Sequence, residues 1–217
     1  MIGKKTNFRN IRYLHTFLQK LITFILNWII ILYNILEITM VDLSKIKIGV
    51  THAGKFHLDD TMSVAFLRHF IKDIKIIRVL EVTQEYGEDT IVFDVGRGEY
   101  DHHQEDHKIN EQGVPYSAFG LLWEDFGRDF LKDYGIVNIE DAFKLFRTLY
   151  VEKIDFGDNM GYRNMEAFDE NIIVTACNLS WYEKNDDELV EERFLQAVEM
   201  CEVILHNWAS YVKEVTK

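Results

Sequence analysis

The sequence predicts an α/β fold: a parallel-rich sheet flanked by helices, a helical carboxyl-terminal part, and a hydrophobic helix at the amino terminus. Three observations predict it. β-Branched runs recur at 46–51, 74–82 and 90–95; a helix-spaced apolar series lies between the first two; and from residue 117 onward the spacing is helical throughout. Strand, helix, strand and strand in this order suit a sheet whose ligands collect at the carboxyl ends of its strands.

The first element is the amino-terminal segment, residues 1–39. Leu21 to Ile38 is almost continuously apolar, broken by Asn27, Asn34 and Glu37, and Lys4, Lys5, Arg9, Arg12 and Lys20 precede it. That is about the length of a membrane span, with the flanking charge of a cytoplasm-facing start. Met40 directly precedes VDLSKIKIGVTH, where a second domain, residues 40–217, can begin. Residues 1–39 therefore read either as a membrane anchor or as an upstream extension that is not translated. The body is expected in the cytoplasm, anchored to a membrane only in the first case.

Within the body, Ile46 to Thr51 reads as a strand that delivers His52 into a glycine-containing loop. A helix follows, with Met62, Ala65, Phe66, His69 and Phe70 at helical spacing and Lys72 and Asp73 at its end. Ile74 to Val82 and Thr90 to Val95 suit buried strands, the second carrying Asp94 with Gly96 behind it. Residues 97–116 form a polar loop holding the single proline, Pro115. Ser117 caps a helical run ending near Tyr134, Asn138 begins another through Ile154, and Glu191 to Val215 is a last amphipathic stretch.

Composition bounds the function. The net charge is −12, and residues 1–39 hold a net +4, which leaves about −16 on the body. So acidic a body lacks the footprint of a binder of long duplex nucleic acid; a nucleic-acid substrate is expected to be short, with metals neutralising its phosphates. Cys177 and Cys201 are too few for a disulfide scaffold and not spaced as a metal motif, so both read as small buried hydrophobes in helices.

The chemistry lies in three clusters between Thr51 and Gln104: His52, His57, Asp59 and Asp60 in THAGKFHLDD, Asp94 in IVFDVG, and Asp101, His102 and His103 in EYDHHQ. Imidazole mixed with carboxylate suits manganese, zinc or iron, whereas carboxylates alone suit magnesium or calcium. A loop can converge His52, His57 and Asp59 on one ion, while the following helix start favours an anion. Asp60 reads as a ligand, as a partner orienting a histidine, or as a first-turn helix charge. Asp94 follows an apolar run, a costly place for a charge unless it meets a cation, and a carboxylate bridging two metals is its natural role. In VEKIDFGDNMG, Asp155 and Asp158 are further candidates, though Asp-Asn near glycine is also ordinary turn chemistry. His107 reads as a phosphate contact or a loop residue; His15, His69 and His206 have no cluster around them and read as packing or surface residues.

These residues resemble the DHH phosphoesterase superfamily and, more closely, its MYG1-like branch (UPF0160, also called metal-dependent protein hydrolases). THAGKFHLDD, VFDVG, EYDHHQ and VEKIDFGDNMG match four of its motifs in order, and PYSAFGLLWEDFG resembles its Ser-Ala-Gly-Leu helix. The resemblance covers about residues 46–210. It implies a DHH-type domain with two divalent ions, usually Mn2+ with Mg2+, Zn2+ or Fe2+ as alternatives. It implies that His52, His57 and Asp59 are ligands, that Asp94 bridges the ions, that His102 is a ligand, and that Asp155 or Asp158 completes the shell of the second ion. His103 would contact the scissile phosphate and serve as a catalytic group with Asp94.

The expected activity is that of an exonuclease or phosphodiesterase on short single-stranded RNA or DNA or a nucleotide, with a homodimer allowed. The alternatives are a small-molecule phosphatase or pyrophosphatase, or a non-catalytic metal-binding interaction domain. Full-length members of the branch continue into a second, substrate-gripping domain that this sequence is expected to lack, and Arg97, Gly98 and Glu99 make a shorter approach to the triplet than is usual there. Protein hydrolysis finds no support, since no activated serine or cysteine stands out and no HExxH motif is present.

Overall fold

A computed structural model describes residues 18–29, 41–105, 108–110, 113–160, 174, 176–179 and 186–217. The chain divides into two compact units, Met1–Val41 and Asp42–Lys217. In the first, residues 18–29 form helix α1 with its apolar side chains exposed, Phe24 and Trp28 meeting edge to face. No helix among the described residues is long and apolar enough to cross a membrane. The expected span runs to Ile38, and its second half lies outside those residues.

The second unit is built on a three-stranded parallel sheet, ordered β2-β1-β3, with β1 at Ile48–His52, β2 at Lys75–Val79 and β3 at Thr90–Val92. Both neighbours run parallel to β1, Val50 pairing with Ile77 on one side and Val92 on the other. Parallel pairing needs crossovers, and helix α2 (Leu58–Phe70) supplies the first. The strands are shorter than the apolar runs predict. Leu80 is exposed past the end of β2, and Phe93 makes only an isolated bridge to Tyr100, so the edges stop pairing where the chain bends into the site loops.

Helices α3 (Ala118–Asp133), α4 (Ile139–Phe146), α5 (Glu152–Met160) and α6 (Asp187–Val215) make up the helical part. Ser117 caps α3 as expected, its hydroxyl accepting from the Gly120 N–H at 3.2 Å. The run expected from Asn138 to Ile154 is helical but interrupted: a π-helical turn, Arg147–Val151, joins α4 to α5. Such a turn takes an extra residue and shifts the face that the following helix presents.

Aromatic side chains fill the layer between these helices. Phe66 of α2 lies 5.3–5.8 Å from Phe119, Trp123 and Phe130 of α3, and Trp123 stacks on Phe146 at 4.1 Å. Their burial supplies the apolar area that holds α3 against α2 and α4. Cys201 is buried in α6, whereas Cys177 is half-buried in a turn rather than a helix. His69 pairs with Asp133 and stacks on Tyr134, and His206 meets the Tyr134 hydroxyl, which places both outside any cluster of metal-binding groups. His15 lies outside the described residues.

Candidate metal centre

The carboxyl ends of β1 and β3 open on a cleft of about 890 Å³. His52 closes β1 and enters it directly, and Asp94 lies just past β3 with a φ of 56°. A left-handed backbone is uncommon outside glycine, and asparagine and aspartate bear it best, so the chain accepts a constrained residue in order to aim this carboxylate. Between β1 and α2, Gly54 turns the loop with a φ of 93°, a conformation open to glycine at little cost. His57 then stands at the start of α2, so Asp59 and Asp60 fall in its first turn and both are buried.

Eight side chains converge in three neighbouring groups of donors, each within 4.8 Å: His52, Asp60 and Asp94; Asp94, His102 and His103; and His57, Asp59 and Asp158. Asp94 is common to two groups. His52 Nε2 lies 2.7 Å from Asp60 Oδ2 and 3.0 Å from Asp94 Oδ2, and His102 Nε2 lies 3.1 Å from Asp94 Oδ1 and 3.3 Å from Asp158 Oδ2. Within the third group His57 Nδ1 lies 3.9 Å from Asp158, and the His102–Asp158 contact links that group to the other two.

Two histidines are set alike. The Nδ1 of His52 lies 3.2 Å from the Ala53 carbonyl and that of His102 lies 3.3 Å from Asn159 Oδ1, so each ring donates at Nδ1 and turns Nε2 to the carboxylates. This arrangement fixes the tautomer a metal ligand needs. Asn159 is itself held, its amide donating to the carbonyls of Pro115, Tyr116 and Asp155. Asp60 serves two ends: Oδ1 accepts from the His57 N–H at 3.1 Å, while Oδ2 faces His52.

The electrostatics call for a cation. Both oxygens of Asp59 are buried with no hydrogen-bond donor. Burial, and then repulsion from Asp94, Asp158 and Asp60, push its carboxyl well above the usual range. Burial also raises Asp60 and Asp158. Burial opposes charge on His52 and His102, but hydrogen bonds to Asp60 and Asp94 for the one, and to Asp94 for the other, outweigh it and lift them to about 10 and about 9. The same bonds outweigh burial at Asp94 and bring it down to about 2. Protons on the two imidazoles thus balance Asp94 while Asp59 is left without a counter-charge, and divalent cations coordinated here would relieve both conditions. The residues present fit such ions, and their imidazole-carboxylate mixture suits manganese, zinc or iron.

Of the residues singled out in the sequence, His52, His57, Asp59, Asp60, Asp94, His102, His103 and Asp158 come together. Asp155 does not join the donor groups. Its Oδ1 accepts from the N–H of Ser117 at 2.9 Å and from its hydroxyl at 2.7 Å, holding the start of α3, and burial lifts its carboxyl to about 7. His103 is 61% exposed at the cleft, with Nδ1 2.8 Å from Asp101 Oδ1. Hydrogen bonds from the His103 ring, its N–H and the Arg97 N–H hold Asp101 below the usual carboxylate range against burial. His107 lies outside the described residues. Sequence reasoning gave no role to Asn159, read there as turn chemistry, nor to Lys55 and Arg97, which reach the cleft wall as its two Lys or Arg side chains among the described residues.

The pattern of the family MYG1_exonuc, described as Uncharacterised protein family (UPF0160), matches residues 47–217. The chain is 27% identical over 172 residues to a MYG1 protein of Dictyostelium discoideum, covering 69% of this chain and 52% of that protein. It is 28% identical over 177 residues to a Saccharomyces cerevisiae MYG1 protein, with the same coverage, and 28% identical over 199 residues to the Homo sapiens MYG1 exonuclease, covering 75% and 52%. It spans about half the length of these curated relatives. No solved structure matches significantly.

Proposed function

The chain belongs to the MYG1_exonuc family (UPF0160), and from that premise we propose that residues 40–217 form a DHH-type metal-dependent phosphodiesterase domain. It would hydrolyse phosphate esters of short single-stranded nucleic acid or nucleotides. The observation that carries this reading is Asp94, a buried carboxylate in left-handed backbone shared by two of the donor groups. A carboxylate placed so is suited to bridge two ions. Relatives named as exonucleases support the substrate class.

His52, His57, Asp59, Asp94, His102 and Asp158 would hold two divalent ions, Mn2+ by the resemblance, with Asp60 orienting His52. When bound, the ions supply an activated water and neutralise charge on the phosphate. The chain contributes the rest. Asp101 holds His103 Nδ1, which orients the ring so that Nε2 can give a proton to the departing oxygen. Lys55 and Arg97, exposed at the cleft wall, attract the anionic backbone. Asp155 acts indirectly, fixing the α3 start and, through its carbonyl, the Asn159 that orients His102.

The test is a substrate panel with Mn2+: short single-stranded RNA and DNA, dinucleotides, cyclic dinucleotides, pyrophosphate and a phosphomonoester. Cleavage of the diesters supports the reading. Turnover confined to pyrophosphate or the monoester, or tight metal binding with no turnover at all, would overturn it.

A further inference from the structure

Arg78 lies on the strand beside the site and reaches into none of the donor groups, yet its side chain is 2% exposed. A guanidinium buried so deeply needs its donors satisfied, and its partners identify its task. Nε donates to the His52 carbonyl at 3.2 Å and Nη2 to the Gly54 carbonyl at 2.9 Å. Nη1 donates to Glu191 of α6 at 3.0 Å, and the guanidinium carbon sits 4.2 Å from the centre of the Phe194 ring. Three prongs and a flat face are all occupied. At the far end of the same loop, Asn178 accepts from the Phe56 N–H at 3.0 Å and donates to the Phe56 carbonyl at 2.8 Å.

We propose that Arg78 is a positioning residue for the metal centre: braced by Glu191 and Phe194, it holds the backbone of the 52–57 loop so that His52 and His57 converge. The proposal rests on the metal reading above. The loop contains a left-handed glycine and no regular hydrogen-bond ladder, so side chains must fix its path. Lysine could keep the charge but cannot bridge two carbonyls with a rigid fork.

Mn2+ binding by the full chain, followed calorimetrically beside the melting temperature of the metal-free protein, tests it with Arg78→Lys and with Glu191→Ala, which removes only the exposed brace. Expected is a 10- to 100-fold loss of Mn2+ affinity in Arg78→Lys, the range for groups that orient ligands, a smaller loss in Glu191→Ala, and little change in melting temperature. Free guanidinium should restore affinity to Arg78→Ala. Wild-type affinity in both Arg78→Lys and Glu191→Ala would overturn the positioning role while leaving the metal reading intact. Absence of Mn2+ binding by the wild type would overturn the metal reading, and this role with it.

Discussion

His52 Nε2 stands 3.0 Å from Asp94 Oδ2, a contact made because β1 and β3 are paired neighbours whose ends open on the same side. The contact makes Asp94→Asn a sharp test. Asparagine keeps the shape and tolerates left-handed backbone, so the fold should survive, while the negative charge that two donor groups share is lost. Turnover with Mn2+ should fall about 10³-fold, the scale of losing a preorganised electrostatic group. Circular dichroism should be unchanged, and substantial activity in this variant would refute the bridging role.

Metal binding should release protons. His52 and His102 are lifted to about 10 and about 9, so both are protonated at pH 7 and must lose a proton to coordinate. At least two protons should therefore appear in solution when the centre fills, with the raised Asp59 able to add another, and affinity should climb with pH until those values are passed. Calorimetry in buffers of different ionisation enthalpy measures the number directly; a value near zero would contradict the histidine ligands.

Asp155 predicts a separate pH effect on stability. Its carboxyl titrates near 7 in the fold against an ordinary 3.8, so the folded state favours the neutral acid. The contribution is complete below 3.8, declines as pH rises, and is gone above about 7, an effect on the order of 2–4 kcal/mol. Asp155→Asn should remove that slope, and denaturant titrations of both proteins at pH 4 and pH 8 would reveal it. Parallel pH dependences would count against it.

Gly120→Ala should destabilise. A Cβ there would meet Asp155 Oδ1 at 2.2 Å, and that carboxylate is pinned by Ser117 and cannot step aside. The expected cost is about 1–3 kcal/mol, read as a lower melting temperature. Coupling to Asp155→Ala in a double-mutant cycle should recover part of it; strict additivity would show that the clash lies elsewhere.

Lys55→Ala combined with Arg97→Ala should raise KM for oligonucleotides about tenfold and flatten the dependence on salt, with kcat largely kept, because in the proposed function both side chains would meet the substrate's backbone rather than the reacting atoms. A fall in kcat at unchanged KM would remove them from the binding surface.

Much of the centre was legible because its chemistry is local. His52, Asp94 and His102 stand at the ends of apolar runs or in a short polar triplet, and both signals survive without coordinates. The strand limits were less legible: β2 ends at Val79 although the apolar run continues to Val82, since pairing depends on the neighbour and not on propensity. Arg78 left one trace, a charge inside the apolar run that begins at Ile74, but which carbonyls it would hold could not be read from it.

The sequence by itself determined the donor chemistry, the strand-loop-helix setting of the first cluster and the α/β class, because side-chain type and periodicity are written residue by residue. Only the tertiary structure separated Asp155 from Asp158. The two lie within one turn of α5, yet one sits under the start of α3 and the other reaches His57 and His102. That division follows from the phase of a helix entered through a π turn and from what packs against each of its faces, and neither quantity exists until the chain has folded.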